Sequence, residues 1–222
     1  MNSISGKNPA TGESITIHYA DGVIRDIVPS REAETLWLGP ALVDIQVNGY
    51  EGVDLNAGSL DAATVVELAH RLQRVGVATF LPTLITASEE AIIQALQAIR
   101  RARESDSVIA RMIAGVHVEG PSLSDEAGPR GAHPLAHIRP PDPAEFARWQ
   151  QASGGLVSMI TVSPHWGNSV DFIAALTAAG IHVAIGHTHA SVEQIRAAVD
   201  AGAGLSTHLG NGAHGTLRRH PN

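Results

Sequence analysis

Cysteine is missing from this sequence of 222 residues, and its absence removes several kinds of chemistry. Disulfide bonds, thiolate nucleophiles and cysteine-ligated zinc are all excluded, which leaves imidazole, carboxylate and water as metal ligands. Long apolar runs are missing too. No stretch approaches membrane-spanning length, and residues 1–7 are polar and lack the apolar core of a signal peptide. We therefore expect a cytoplasmic protein with no membrane partner.

Clustered positive charge is also missing. The net charge is −7 and no block is rich in Lys and Arg, so nucleic acid is not expected as a partner. The remaining composition, with 44% hydrophobic and 17% charged residues, is that of a globular protein with a real core. The 12 histidines are notable because several of them follow apolar runs.

The order of predicted elements changes near residue 39. Residues 4–38 predict short strands joined by a hairpin at Asp21-Gly22, with a further strand at 35–38. From Ala41 onward strands and helices alternate. The predicted strands are 41–47, 77–81, 111–118, 156–162, 181–185 and 204–207. One helix covers residues 170–179, and the others are capped by Ser59, Ser88, Asp142 and Ser191, the last two as capping boxes with Glu145 and Gln194.

This alternation predicts an α/β fold in which parallel strands are covered by helices. Both a (β/α)8 barrel and a doubly wound sheet fit the pattern. The chain contains six such strands, and an eight-stranded barrel cannot close with six. We therefore expect a small β domain at residues 1–38 and, at residues 39–222, either a doubly wound sheet or a barrel that is incomplete in this chain.

Three polar residues stand at the carboxyl ends of predicted strands: Glu119, His187 and His208. Alone, each histidine is better explained as a satisfied polar residue, and Glu119 as a turn cap. All three in phase with their strands favour a metal site, because two imidazoles and a carboxylate form a known catalytic set with an open position for water. We expect one divalent ion, with Zn as first choice and Fe, Co or Mn as alternatives. The first strand ends in Gln46-Val47-Asn48, where many hydrolase barrels carry a His-x-His for a second ion.

Other catalytic motifs are absent. His117-Val118-Glu119 matches the start of the zinc deaminase signature, but that signature requires a cysteine pair. The sequence has no His-Glu-x-x-His, no Gly-x-Ser-x-Gly and no phosphate-binding Gly-x-x-x-x-Gly-Lys.

Five stretches resemble the N-acetylglucosamine-6-phosphate deacetylases of the amidohydrolase superfamily. They keep that family's order and span most of the chain from Gly39 onward. The stretches are residues 39–49 (GPALVDIQVNG), 81–86 (LPTLIT), 117–121 (HVEGP) with 131–133 (GAH), 185–190 (IGHTHA) and 206–211 (STHLGN).

The resemblance implies a metal-dependent hydrolase on a (β/α)8 TIM-like barrel, incomplete here, with a small β domain. It implies Glu119, His187 and His208 as metal ligands and places the catalytic Asp, which acts as base and then acid, beyond Asn222. Asp44 is expected to be structural. His133 would lie over the reacting amide or hold the sugar, with the backbone of Ala132 nearby, although a mobile loop residue is an equal explanation.

The same resemblance implies a phosphate site and a dimer. Asn211 and the backbone of Gly212 would meet the sugar phosphate, and Arg219 would reach it from a neighbouring subunit of a homodimer; alone, Arg219 is equally a solvated charge. The chain departs from the family at residues 210–214, where it reads Gly-Asn-Gly-Ala-His in place of an aromatic followed by Asn-Ala-Met. This difference concerns the phosphate and hexosamine contacts and leaves the metal ligands in place.

The expected function is hydrolysis of the acetamide of N-acetylglucosamine 6-phosphate, or of a related N-acetyl amino sugar phosphate, to an amine and acetate. One alternative is another amidohydrolase reaction on the same scaffold, such as cyclic amide hydrolysis or deamination. A second alternative is an inactive fragment that lacks the catalytic Asp.

Overall fold

The computed structural model describes residues 1–216 and residue 219. The chain divides into two compact units, Met1–Leu42 and Val43–Asn222. The domain division expected between residues 38 and 39 falls within the first unit. No helix in the described part of the chain is both long and apolar enough to cross a membrane.

The first unit contains an antiparallel sheet of three strands, β1 (Asn2–Lys7), β2 (Ser14–Ala20) and β3 (Val23–Pro29), in that order. Asp21 and Gly22 join β2 to β3 with φ angles of 54° and 74°. Positive φ at both central residues is the requirement of a tight hairpin turn, which explains the Asp-Gly pair and confirms the predicted hairpin. The strand predicted at 35–38 is wrong, since only an isolated bridge between Lys7 and Trp37 forms there.

The second unit is built on a six-stranded sheet with the order β11-β10-β9-β8-β7-β4. The strands from β7 to β11 pair in parallel. A short antiparallel pair, β5 and β6, follows β4. The strands are β4 (Leu42–Val47), β5 (Gly49–Tyr50), β6 (Val53–Asp54), β7 (Val77–Ile85), β8 (Val116–Glu119), β9 (Val157–Val162), β10 (His182–Ile185) and β11 (Leu205–Ser206).

Helices connect these strands and cover one face of the sheet. They are α1 (Ala62–Arg74), α2 (Glu89–Ser105), α3 (Ser107–Met112), α4 (Pro143–Ser153), α5 (Ser169–Ala178) and α6 (Val192–Asp200), with a 3₁₀ turn at Leu135–His137. The apolar stripes predicted for the first two helices are buried against the sheet, as their spacing of three and four residues requires. The predicted strand–helix alternation is therefore confirmed.

Several element boundaries differ from the predictions. Asp61, not Ser59, caps α1. Residues 111 and 112 end helix α3, and strand β8 starts only at Val116. Strand β7 continues past the expected residue 81 to Ile85. The capping box at Ser191 and Gln194 is confirmed, but the one at Asp142 is wrong because the Glu145 carboxylate pairs with Arg139 instead.

Candidate metal centre

Glu119, His187 and His208 meet at the carboxyl ends of three strands. Glu119 is the last residue of β8, and each histidine lies just after β10 or β11. Glu119 Oε1 lies 3.1 Å from His187 Nε2 and 3.1 Å from His208 Nε2, and the two Nε2 atoms are also 3.1 Å apart. The three side chains predicted to lie at strand ends therefore direct their potential ligand atoms toward the same point.

Backbone carbonyls orient both imidazoles. His187 Nδ1 lies 2.8 Å from the carbonyl oxygen of Pro129, and His208 Nδ1 lies 3.2 Å from that of Asn211. A carbonyl only accepts, so Nδ1 carries the hydrogen in each ring and Nε2 of the neutral imidazole keeps its lone pair. Three electron-rich atoms then face one another, which is the arrangement that a bound cation stabilises.

The spacing of these atoms suits a small tetrahedral cation. Nitrogen and oxygen ligands bind Zn²⁺ at about 2.0–2.2 Å, which puts neighbouring ligand atoms of a tetrahedron roughly 3.3–3.6 Å apart. The triangle of 3.1 Å edges is close to that value. Three protein ligands would leave the fourth position open, as in catalytic zinc sites.

Both histidines hold an unusual backbone conformation. The φ angle is 47° at His187 and 30° at His208. Residues with a side chain seldom adopt positive φ, and such strain persists where the surrounding structure enforces it, often at functional sites. The two turns direct the imidazoles toward Glu119.

Glu119 is buried and held by an amide. Its Oε2 accepts a hydrogen bond of 3.0 Å from Gln46 Nε2 at the end of β4, while Oε1 faces the histidines. Burial by itself raises the pKa of Glu119, but the hydrogen bond that His187 donates when protonated, together with the charge of protonated His133, His187 and His117, outweighs it and lowers the pKa to about 2. Glu119 is therefore ionised near neutral pH.

His133 lies beside the same cluster. Its Nδ1 lies 2.9 Å from Thr86 Oγ1, and its Nε2 lies 3.3 Å from His187 Nε2 and 4.0 Å from Glu119 Oε1. Burial, followed by the effect of His187, lowers the pKa of His133 to about 4, so the ring is neutral at pH 7. Glu119, His133 and His187 offer ligand atoms that all lie within 4.8 Å of one another. His133 is buried and hydrogen-bonded.

Gly120 makes the approach of Thr86 possible. It follows β8 with a φ angle of 92°, and a Cβ atom there would lie only 2.2 Å from Thr86 Oγ1. Glycine tolerates both the positive φ and the close contact. The chain therefore turns away directly after Glu119, and Thr86 stays free to hold His133.

A layer of buried polar side chains lies across the strands next to Glu119. His117 Nε2 lies 2.7 Å from Thr161 Oγ1, which lies 2.6 Å from Thr207 Oγ1, and His117 Nδ1 lies 3.4 Å from Thr83 Oγ1. Burial lowers the pKa of His117 to about 4. These hydrogen bonds satisfy groups that would otherwise be costly to bury.

The remaining predicted site residues occupy different positions around the cluster. Asn211 is exposed, and its carbonyl orients His208. Gly212 packs so closely on His187 that a Cβ atom would lie 2.9 Å from Nδ1. Ala132 is exposed beside His133. Arg219 is exposed as well, and its proposed contact with a neighbouring subunit stays a prediction.

Two positioning residues were not assigned from the sequence. Gln46 is the penultimate residue of β4 and Thr86 directly follows β7, and each holds a side chain of the cluster. The sequence does contain a signal for them, because both are polar residues at strand ends, and Glu119 was identified by its position at a strand end. Amide and hydroxyl groups are weak metal ligands for a site of this kind, so they do not stand out in a search for ligands.

Helices on a parallel sheet, with imidazoles and a carboxylate at the carboxyl ends of its strands, are the arrangement typical of metal-dependent hydrolases built on a (β/α) barrel. No protein-family model matches the chain. N-acetylglucosamine-6-phosphate deacetylase of Bos taurus is 40% identical over 177 residues, covering 78% of this chain and 42% of the bovine protein. N-acetylgalactosamine-6-phosphate deacetylase of Escherichia coli O157:H7 is 33% identical over 212 residues, covering 92% of this chain and 54% of that protein.

Solved structures agree with this result. The crystal structure of N-acetyl-D-glucosamine-6-phosphate deacetylase from Mycobacterium smegmatis superposes with a TM-score of 0.82 at 29% identity, covering 99% of this chain and 58% of that one. The predicted resemblance to N-acetylglucosamine-6-phosphate deacetylases and the predicted incomplete barrel are thereby confirmed. The chain spans about half the length of the relatives it matches.

Proposed function

We propose that Glu119, His187 and His208 bind one divalent metal ion, with Zn²⁺ as first choice. The observation that carries this proposal is the triangle of ligand atoms with 3.1 Å edges, in which both Nδ1 atoms are already satisfied by carbonyls. Fe, Co and Mn use the same ligand types and are alternatives.

The proposed reaction is hydrolysis of an acetamide to an amine and acetate. A bound divalent ion supplies a water of lowered pKa and polarises a carbonyl oxygen. His133, neutral and fixed by Thr86, directs Nε2 toward the same space and is the candidate to position the amide. Asp44 is not proposed as the base, because its Oδ1 accepts the backbone N–H of Gln46.

The proposed substrate is the 6-phosphate of an N-acetylated hexosamine. The names of the relatives support this class, and they include both glucosamine and galactosamine forms. A solved relative from Mycobacterium smegmatis, 31% identical over 93% of this chain, is in complex with N-acetyl-D-glucosamine-6-phosphate. We propose that the exposed Asn211 and the backbone of Gly212 contact the phosphate, with Arg219 added from the second subunit of a homodimer.

The first test measures metal binding. Purified protein is stripped with a chelator, reloaded with Zn²⁺ and analysed for bound metal. Glu119→Gln and His187→Ala should lose the metal at this site, whereas His182→Ala should keep it, because His182 is exposed at the opposite end of β10. Full occupancy in both site variants would refute the ligand assignment.

The second test measures acetate release by the full-length, metal-loaded protein. The substrates are the 6-phosphates of N-acetylglucosamine and N-acetylgalactosamine, each beside its unphosphorylated sugar, together with a cyclic amide and an aminopyrimidine. We expect acetate only from the phosphorylated sugars. A protein that binds metal but releases no acetate from either of them would exclude the proposed substrate while leaving the metal site intact.

A further inference from the structure

We propose a second divalent cation site, formed by Asp125, His165 and His189 and separate from the cluster around Glu119. The ligand atoms of these three residues all lie within 4.8 Å of one another. They come from the segments that follow β8, β9 and β10, so the site bridges three neighbouring loops at the carboxyl ends of the strands. Neither the resemblance nor the names of the relatives assign a role to these residues.

His165 is already prepared as a ligand. Ser163 Oγ donates to Thr188 Oγ1 at 2.7 Å, so it accepts the hydrogen of His165 Nδ1 at 2.6 Å. Nε2 of the neutral ring then keeps its lone pair. Metal-binding histidines are typically oriented in this way, by a hydrogen bond from the nitrogen that does not bind the metal.

His189 lies close to His165. The two ring centroids are 4.2 Å apart, with the ring planes tilted by 44°. Ser124 Oγ lies 2.5 Å from His189 Nδ1 and also accepts the backbone N–H of Glu126, which fixes the position of the ring. Two imidazoles are thus held side by side, each anchored through Nδ1 by a serine.

Two adjacent carboxylates complete the environment. Asp125 is exposed and contributes a ligand oxygen. Glu126 places one carboxylate oxygen 3.8 Å from His189 Nε2 and the other 3.4 Å from His214 Nε2. Two imidazoles with two carboxylates nearby favour a dication of the Zn²⁺, Co²⁺ or Ni²⁺ type over Mg²⁺ or Ca²⁺, which prefer oxygen ligands.

An ion at this site would fasten a loop to the sheet. Asp125 belongs to the segment that also contains Pro129, and the Pro129 carbonyl orients His187. A cation that joins Asp125 to His165 and His189 would hold this segment against the ends of β9 and β10. The proposed role is therefore structural: the second ion fixes the segment that positions a ligand of the first site.

The test counts bound Zn²⁺ at equilibrium by dialysis of the chelator-stripped protein against buffered free metal. We expect two equivalents for the unmodified chain and one for His165→Ala and for His189→Ala. Asp125→Asn also loses the second equivalent, and because Asp125 is exposed this variant folds normally. His70→Ala, at an exposed position on α1, is the matched control and keeps two.

A graded variant separates binding from folding. Ser163→Ala removes the hydrogen bond that orients His165 and should weaken the second equivalent by about 10–100-fold without affecting the first. Hydrogen exchange provides an independent measure, since exchange in residues 124–131 should slow when the second equivalent binds. Equal numbers of equivalents in the unmodified chain, Asp125→Asn and His165→Ala would overturn the proposal, whereas failure of the Glu119 site would lower the count by one in all three. None of these measurements depends on acetate release.

Discussion

At the scale of single residues, the candidate metal centre depends on which ring nitrogen carries the hydrogen. The carbonyl of Pro129, which is distant in the sequence, anchors Nδ1 of His187. The carbonyl of Asn211, in the tight turn that follows His208, anchors Nδ1 of that ring. The sequence indicates which residues are candidate ligands but does not show these anchors. They depend on where residues 129 and 211 lie after folding, which no local pattern specifies.

Gly212 gives a direct test of this anchoring. A Cβ atom at Gly212 would lie 2.9 Å from His187 Nδ1, closer than real Cβ contacts. We therefore expect Gly212→Ala to displace the ring and weaken metal binding about tenfold or more. Isothermal titration with Zn²⁺ measures the change.

Gly210→Ala is the matched control for Gly212→Ala. The φ angles of the two glycines are similar, 87° and 73°, but a Cβ atom at Gly210 has open space around it. Both variants therefore carry a comparable backbone strain of about 1 kcal/mol, and only Gly212→Ala adds the contact with His187. Equal metal affinities in the two variants would show that the contact with the ring is unimportant.

His117 predicts a pH dependence of stability. Burial lowers its pKa from 6.5 to about 4. The unfolded chain therefore binds a proton that the folded chain excludes between these values, so this contribution is fully present above pH 6.5 and is lost as the pH falls toward 4. The loss amounts to on the order of 3 kcal/mol, and His133 contributes in the same direction.

Urea denaturation of the chelator-treated protein between pH 7 and pH 4.5 checks this prediction. His117→Gln should reduce the slope of unfolding free energy against pH, even if it lowers stability at every pH. His70→Gln should leave the slope unchanged because His70 is exposed. An unaltered slope in His117→Gln would contradict the assignment of a buried neutral imidazole.

At the scale of secondary-structure elements, the sequence predicts that a helix begins near residue 60 but does not determine which residue caps it. Ser59 and Asp61 are both good caps, and residue preference alone does not decide between them. In the structure the Asp61 carboxylate accepts hydrogen bonds of 2.8 Å from both the backbone N–H and the hydroxyl of Thr64. Thr64 therefore makes Asp61 the better cap.

Replacement of each candidate cap tests whether Asp61 is the residue that caps α1. Asp61→Ala should lower the free energy of unfolding measurably, whereas Ser59→Ala should change it by less than about 0.5 kcal/mol. The hydrogen bonds from Thr64 lower the pKa of Asp61, so the difference between the variants should shrink as the pH falls below 4. Urea denaturation at pH 7 and pH 3 measures both effects. A larger effect for Ser59→Ala would support Ser59 as the cap.

The helix at residues 107–112 shows where apolar periodicity does not determine the secondary structure. An apolar run before Glu119 fits both a strand and a short helix, because periodicity does not distinguish them over so few residues. Asp106 decides the outcome, since its carboxylate accepts the backbone N–H groups of Val108 and Ile109 and starts α3. Strand β8 keeps only four residues, but its end at Glu119 is where the sequence placed it.

At the scale of the whole molecule, the sequence specified more of the second unit than of the first. The alternation of strands and helices from β4 to β11 follows from apolar periodicity, and parallel order follows from the alternation. The meeting of Glu119, His187 and His208 then follows from topology, because the ends of neighbouring parallel strands lie together. The site around Asp125, His165 and His189 lies in loops beyond those ends, where strand phase gives no information.

Metal removal should lower the stability of the second unit as a whole. Glu119 and His208 are 89 residues apart in the sequence, so an ion between them links distant parts of the chain that separate on unfolding. An ion that binds only the folded chain stabilises it by about 2.7 kcal/mol at a free concentration of 100 times its dissociation constant. Denaturation by urea, with buffered Zn²⁺ or with chelator, measures the difference.

Variants assign this stabilisation to one site or the other. Glu119→Gln removes the charged oxygen shared by both histidines, so it should abolish most of the difference between metal-loaded and chelator-treated protein. His165→Ala should remove only the part that belongs to the second site. Since the chelator-treated chain leaves three electron-rich atoms 3.1 Å apart, its unfolding midpoint should lie below that of the loaded chain at every pH where the imidazoles are neutral. Coincident midpoints at pH 7 would show that these atoms do not bind the ion in the folded state.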